Sequence, residues 1–570
     1  MRLPDPCRDQ RPEAYRGHDE LLAGWHRALS EGDTDTTRAT MNAAVLFARD
    51  GHIGAAVEFA EHARRRAAGT PDLLAALSDL ADALFLRGEL PLAARYVEVG
   101  LGTMGTSVVA LELAVLRLKI EFMRTQRIPD LDLEAWVSVY SSGHPRLAAE
   151  LLALASLCFA LRWEVKQARA LLEQARALLP VVSRAAAHFQ DRTLGLIEAT
   201  DGSGAPVVPQ NPLRPQRSPN RRVADLIIDG KTASLLEDYS GARRLFAIVL
   251  GQRPTPEPIW MESARYLLAD NEIRAGHFTS ARTAILEWRS SRSARSYLPT
   301  HTYLDAWLAY AEGLTGDAHE LLAERLAQHP HEDNPGVAAS LLALKGELSL
   351  IDGDPEEAAR LLSLAETVGA QFGNPALVRH HADYIEASIA AGRRPQAAVV
   401  LEEFERRAQR HRSRWADLAL SRARALLADD EHAPRMFAEA ITACGPSDSA
   451  LDIGRLHLAQ ARKLEALGAA AEAHAALTSA RSVLDGAGAI AWVAHIDTRL
   501  GTGAHPARST LLHHLSDEEL QVVHLVQQGL RNKEIASRLY LSVRTVELRL
   551  THIYRKVGAR SRSHLISLMS

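Results

Sequence analysis

Gly353-Asp354-Pro355-Glu356-Glu357-Ala358-Ala359-Arg360-Leu361-Leu362 reads as the joint of a helical hairpin. Glycine enters the left-handed backbone region freely, so Gly353 can end one helix. Asp354 can cap the next, and Pro355 suits its first position, where the backbone N–H has no partner to lose. Ala358 follows five residues after the glycine and is small enough to let the two helices touch. The same spacing recurs at Gly51/Ala56, Gly88/Ala93, Gly276/Ala281, Gly392/Ala397 and Gly468/Ala473. Trp163/Ala168 keeps it without the glycine, and Gly316 with Ala318 is a looser copy. Filling the gaps with Gln126, Gly202, Asp238 and Asp430 gives a period of about 38 residues.

Hairpins of this kind cannot bury their apolar faces alone, so they stack into a superhelix with a concave surface. The composition agrees: Ala, Leu and Arg are abundant, and aromatic residues make up only 5%. The fold predicted is all-α, a tetratricopeptide-like superhelix followed by a small C-terminal helical domain. The expected divisions are a disordered 1–18, a repeat block over 19–200, a Pro/Gly-rich linker at 201–222, a second block over 223–500, a linker at 501–510 and a domain over 511–570. The longest apolar run, Leu151 to Leu161, is too short to cross a membrane and is expected as a buried helix. The N-terminus lacks the apolar core of a signal peptide. Cys7, Cys158 and Cys444 are odd in number and far apart, which implies neither disulfides nor a cysteine metal site.

The last sixty residues carry denser signals. Ser516 and Glu519 have capping-box spacing, and Gly529 can stop the helix they begin. Asn532 is a candidate N-cap for a short second helix holding Ile535, Ala536 and Leu539, with Ala536 letting a crossing helix approach. Ser542 caps a third helix that runs to Gly558. Its Val546, Leu550, Ile553 and Val557 form one apolar stripe. The opposite face shows Arg544, Thr545, Glu547, Leu548, Arg549, Thr551, His552, Arg555 and Lys556. A fourth helix is expected from about Ser561 to Met569. Residues 511–570 hold nine Lys/Arg and five Asp/Glu, a charge of +4, whereas the whole chain is −4. A basic end on an acidic body is the asymmetry of a chain whose end meets phosphates.

Gly529-Leu-x-Asn-Lys-Glu-Ile-Ala, Thr545-Val-Glu-x-x-Leu-x-x-Ile-Tyr-x-Lys-x-Gly and Ser561-Arg together resemble the LuxR-type helix-turn-helix. The repeat array before them looks like that of the large, multi-domain LuxR regulators. The resemblance implies a bacterial, cytoplasmic transcription regulator that is not an enzyme. Its third helix would lie in the major groove of double-stranded operator DNA, with Glu547, Leu548 and Thr551 nearest the bases. Arg549 would join them or hold a phosphate. Phosphate contacts are implied for Lys533, Arg544, Thr545, Arg555 and Lys556. Ile535, Ala536, Leu539, Val546, Leu550 and Ile553 would form the core of the unit. Leu565, Leu568 and Met569 would join two copies into a homodimer on DNA. RNA polymerase would be a further partner, and the superhelix groove would take a protein, peptide or small molecule. Where many members carry Lys, this chain has Glu547, which can accept a hydrogen bond from cytosine.

The ATPase module that opens the large relatives is not evident. Asp225-Leu-Ile-Ile-Asp-Gly230-Lys231-Thr232 keeps a Gly-Lys-Thr ending, but Asp225 stands where the first glycine of a phosphate loop belongs. No cofactor is expected. His513-His514, His380-His381 and His329-Pro-His331 lack metal-ligand spacing and are expected as surface or capping residues, with no metal. Two other readings stay open: an interaction scaffold with secondary DNA binding, and a nucleotide switch whose ATPase is another chain.

Overall fold

The computed structural model describes residues 36–66, 71–102, 108–178, 184–202, 219–252, 257–291, 299–328, 334–411, 413–445, 448–501, 515–539, 541–557, 561–562 and 565–566. Among the described residues all regular structure is helical. The body runs from α1 (Thr36–Arg49) to α24 (Ile490–Leu500), and three helices follow: α25 (Asp517–Gln527), α26 (Asn532–Arg538) and α27 (Val543–Val557). The expected tail at 1–18 lies outside the described residues, as do 203–218 of the stretch expected as linker at 201–222 and 502–510 of that at 501–510. Helix α10 (Pro219–Leu235) starts inside the stretch expected as linker.

The joint at Gly353 forms as its residues dictate. Gly353 takes φ +80°, and the N–H of Asp354 reaches back to the Ser349 carbonyl at 2.9 Å, closing α16 (Pro335–Ile351). The Asp354 carboxylate then accepts from the Glu357 N–H at 3.0 Å and opens α17 (Pro355–Gly369), with Ala358 fully buried between the two. Gly51, Gly88, Gly276, Gly392 and Gly468 adopt the same left-handed turn, and the alanine five residues after each is buried. Gln126 and Trp163 take positive φ without being glycine, as the period demands.

Three assignments within the period shift. The turn falls at Gly313, not Gly316, which lies inside α15 (Thr315–Gln328). Counting from Gly313 restores the five-residue spacing to the fully buried Ala318. Glu237 takes the positive φ, leaving Asp238 free to cap α11 (Tyr239–Leu250) by accepting from the Gly241 N–H at 2.8 Å. Asp430 marks no left-handed turn. There α20 (Arg414–Leu427) ends in an extended Ala428, and Arg394 and Lys463 satisfy the terminal carbonyls instead.

Helices pack on their neighbours and on the next but one, as stacked hairpins must. The array also meets itself. Helix α12 (Pro258–Arg274) packs against α3 (Pro71–Leu86), where the Trp260 and Phe85 rings stand edge to face at 6.1 Å. At the far end α24 returns to α14 (Pro299–Ala311) and α16, and His495 Nδ1 lies 2.7 Å from the Ile351 carbonyl oxygen. Between these closures the irregular segment 371–380 crosses the interior. Phe372 meets Trp163 edge to face at 5.5 Å, and the Asn374 amide donates to the Ala199 carbonyl. Arg274 donates to the carbonyls of Ala376 and Leu377 at 2.7 and 3.2 Å, while Arg379 returns a bond to the Arg274 carbonyl at 2.6 Å. This strap links residues before 203–218, Trp163 and Ala199, to residues after it, alongside the direct packing of the helices Arg184–Asp201 and Pro219–Leu235.

Candidate nucleic-acid interface and enclosed lumen

The closing unit is built around a small core. Val522, Val526, Ile535, Ala536, Val546, Leu550 and Ile553 are buried there, and Leu539 packs half-buried at its edge. Ser516 and Glu519 form the capping box at the start of α25, with the Ser516 N–H donating to the Glu519 carboxylate at 2.8 Å. Gly529 takes φ +80° and turns the chain towards α26. Asn532 is not the cap of that helix but its first residue. Arg531 holds the cap position, its N–H donating to Glu534 at 2.6 Å, because the Asn532 carboxamide is occupied by Arg562 at 3.1 Å. Arg562 also donates to the Leu530 carbonyl and thereby fixes the turn between the two helices. That role was hidden in the sequence, since nothing in it shows a residue thirty positions away returning to a helix start.

Ser542 accepts from the Thr545 N–H at 3.1 Å and caps α27, whose Val546, Leu550 and Ile553 sink into the core; the side chain of Val557 lies outside the described residues. The opposite face stands open. Arg544, Glu547 and Thr551 are exposed, and Leu548 keeps 56% of its surface. Lys533 is exposed on α26, and Thr545 is half-buried by its cap bond. Arg549 differs from its neighbours because it forms an ion pair with Glu518 in the first turn of α25. The side chains of Arg555 and Lys556 lie outside the described residues. Leu565, expected at a dimer contact, is instead fully buried in the unit's own core. Leu568 and Met569 lie outside the described residues.

Residues 513–569 match the family model described as bacterial regulatory proteins, luxR family. The closing unit is a LuxR-type helix-turn-helix domain. It is 52% identical over 52 residues to proteins named as HTH-type transcriptional regulators in Mycobacterium bovis and Mycobacterium tuberculosis, covering 9% of this chain and 6% of theirs. Against the oxygen regulatory protein NreC of Staphylococcus aureus it is 46% identical over 52 residues, covering 9% of this chain and 24% of that one. The similarity therefore spans a small fraction of these relatives' length. A chain in the crystal structure of the APC/C hetero-tetramer Cut9-Hcn1 aligns over 97% of this chain and 96% of its own, with a TM-score of 0.36 and 12% identity.

The body offers a second feature, a lumen of about 730 Å³ within the superhelix. One part carries the apolar Phe85, Leu86, Leu90, Phe122, Met123 and Leu157, with the charged Asp82, Lys119, Arg146 and Glu150 also on the lining. The other is aromatic and charged, with Tyr303, Tyr310, Trp415, Glu347, Asp452 and Arg455. Lys231 of the Gly230-Lys231-Thr232 triplet borders it, and the triplet is helical throughout. Lys231 pairs with Asp270 at 2.7 Å and the Thr232 hydroxyl bonds the Ile228 carbonyl at 2.9 Å, so the triplet forms no phosphate loop.

His380 and His381 are buried, contrary to the surface placement expected, each at 2% exposure. Their Nε2 atoms lie 2.9 and 3.2 Å from one Glu366 oxygen, and His381 stacks on Phe404 at 4.8 Å. Arg407 donates to the other Glu366 oxygen at 2.7 Å and stands 3.3 Å from His381 Nε2. Three potential ligands thus converge on one Glu366 oxygen, with the Arg407 guanidinium on the other. Burial pushes His381 down to about 4, and the adjoining histidines hold Glu366 below the usual carboxylate range against its own burial.

Proposed function

We propose that this chain is a sequence-specific, non-enzymatic transcription regulator. Its C-terminal domain reads operator DNA, and its helical body receives the signal. The observation that carries this reading is the open face of α27, where Arg544, Glu547, Leu548 and Thr551 project from a helix whose reverse is locked in the core. The names of the relatives of this domain support transcription regulation. Binding as a homodimer in the cytoplasm would place two such helices in successive major grooves, about one DNA turn apart. A lumen of about 730 Å³ falls in the size range of small-molecule sites, which supports a sensor role for the body.

The test is fluorescence anisotropy of the purified full chain on DNA from upstream of its own gene and on random DNA, over a salt series. A regulator should prefer the upstream DNA by roughly a thousandfold or more at moderate salt. Equal affinity for both at every salt concentration would leave only non-specific phosphate binding.

A further inference from the structure

The charged part of the lumen has an imbalance that shows once its ion pairs are assigned. Its cations each face a carboxylate or a carbonyl, though Arg422 Nη1 is left without a hydrogen-bond partner among the described residues. Lys231 is held by Asp270, and Arg274 by the Ala376 and Leu377 carbonyls. Arg379 donates to the Arg274 carbonyl and to Tyr239, and lies over the Trp415 ring at 5.5 Å. Arg422 and Arg455 both bond Asp383, Arg455 at 2.8 Å, and Arg455 also covers the Trp492 ring at 5.0 Å.

Two carboxylates on the same wall are not matched in this way. Asp452 forms no ion pair with any described residue, and Glu347 has the Tyr310 hydroxyl at 3.2 Å with Arg455 only at 3.8 Å. Burial raises both above the usual carboxylate range. The nearby Arg379, Arg422 and Arg455 do not offset it at Asp452, and at Glu347 Asp383 and Asp452 add repulsion. Around them stand Tyr303, Tyr310, Trp307 and Trp415, whose ring faces attract cations.

We infer that the lumen binds an amphipathic organic cation, with a protonated amine between Glu347, Asp452 and the aromatic rings and an apolar body against Leu86, Leu90, Phe122, Met123 and Leu157. The inference rests on the sensor reading of the body and names the class of signal. An amine supplies the charge these two carboxylates lack and donates hydrogen bonds to them. An anion of the same size meets two carboxylates here, beside cations that already face carboxylates or carbonyls; Lys119 and Arg146 also line the lumen, Lys119 over the Phe85 ring.

Three probes sharing one fluorophore test this on the full chain: monodansylcadaverine as the cation, dansylamide as the neutral form and dansylglycine as the anion. Fluorescence titration should show the cation binding at least about tenfold more tightly than the anion. Asp452→Asn and Glu347→Gln should each weaken the cation about tenfold while leaving dansylamide affinity unchanged, with circular dichroism confirming the fold. Two variants on different helices guard against a local folding defect in either. Anion binding as tight as cation binding, or cation affinity indifferent to both substitutions, overturns the ligand class but leaves the sensor reading. Failure of all three probes to bind overturns both.

Discussion

At the scale of single residues, the open face of α27 separates positions that set sequence preference from positions that set affinity. Glu547→Ala should relax preference at one base pair by about 1–3 kcal/mol. Lys533→Ala should instead weaken all sequences alike and flatten the salt slope by about one phosphate contact. Operator selection from random DNA checks the first, and an unchanged preferred operator would remove Glu547 from the reading face. Arg549 was expected to read DNA, yet Glu518 holds it within the protein. Glu518→Gln should free it and strengthen DNA binding several-fold, by up to about 1 kcal/mol for an exposed pair. Anisotropy with the variant would settle this, and weaker binding would mean that the pair orients α27 instead. The buried histidines add a pH dependence. His381 is held down to about 4 against an ordinary value of 6.5, so below pH 6.5 the unfolded chain gains a proton that the folded chain refuses until about pH 4. Stability is complete above that window and falls through it at about 1.4 kcal/mol per pH unit. His495, held at about 4 chiefly by burial, acts in the same direction. Thermal unfolding from pH 7.5 to 4 should therefore show a falling Tm, with a shallower fall in His381→Gln.

At the scale of elements, the hairpin joints were the most legible part of the chain. A glycine followed five residues later by alanine combines two independent requirements, a left-handed stop and a close helix approach, and every strong instance formed. Of the weak instances, Gln126 and Gly202 took the left-handed turn, whereas Gly316, Asp238 and Asp430 did not. Gly313 and Gly316 compete within three residues, and only the spacing to Ala318 separates them. The strap at 371–380 was not legible, because it has no periodicity and its partners lie between about thirty and more than a hundred residues away. The caps of the DNA-binding unit were readable because they are local, whereas Arg562 and the burial of Leu565 depend on how the following segment folds back. A test of the joints is Gly353→Ala. The position has open space around it, so only the φ of +80° is strained, and the loss should be about 1–2 kcal/mol, read as a lower Tm of the body. No loss of stability would mean that the turn can relax into a right-handed end.

At the scale of the whole molecule, the strap links the two blocks. Arg379 joins the Arg274 carbonyl, Tyr239, Glu237 and the Trp415 ring, four partners from three separate stretches of chain. Arg379→Met should cost about 1.5–3 kcal/mol, since half-buried Glu237 loses its charged partner but keeps the Ser413 hydroxyl and the Arg414 N–H. It should also split the unfolding of the body into two transitions, visible as non-coincident tryptophan fluorescence and circular dichroism curves. A single coincident transition would show that packing alone couples the blocks. The closures between α3 and α12 and between α24 and α16 bear on how such a chain can change over evolutionary time. An open solenoid tolerates the gain or loss of a unit, because each unit knows only its neighbours. Here an added hairpin between Phe85 and Trp260, or between Ile351 and His495, would carry one of each pair past the other. Gain or loss of a single hairpin should therefore break a closure, so relatives that keep both closures should vary in loop length and side chains while keeping the same count of coils.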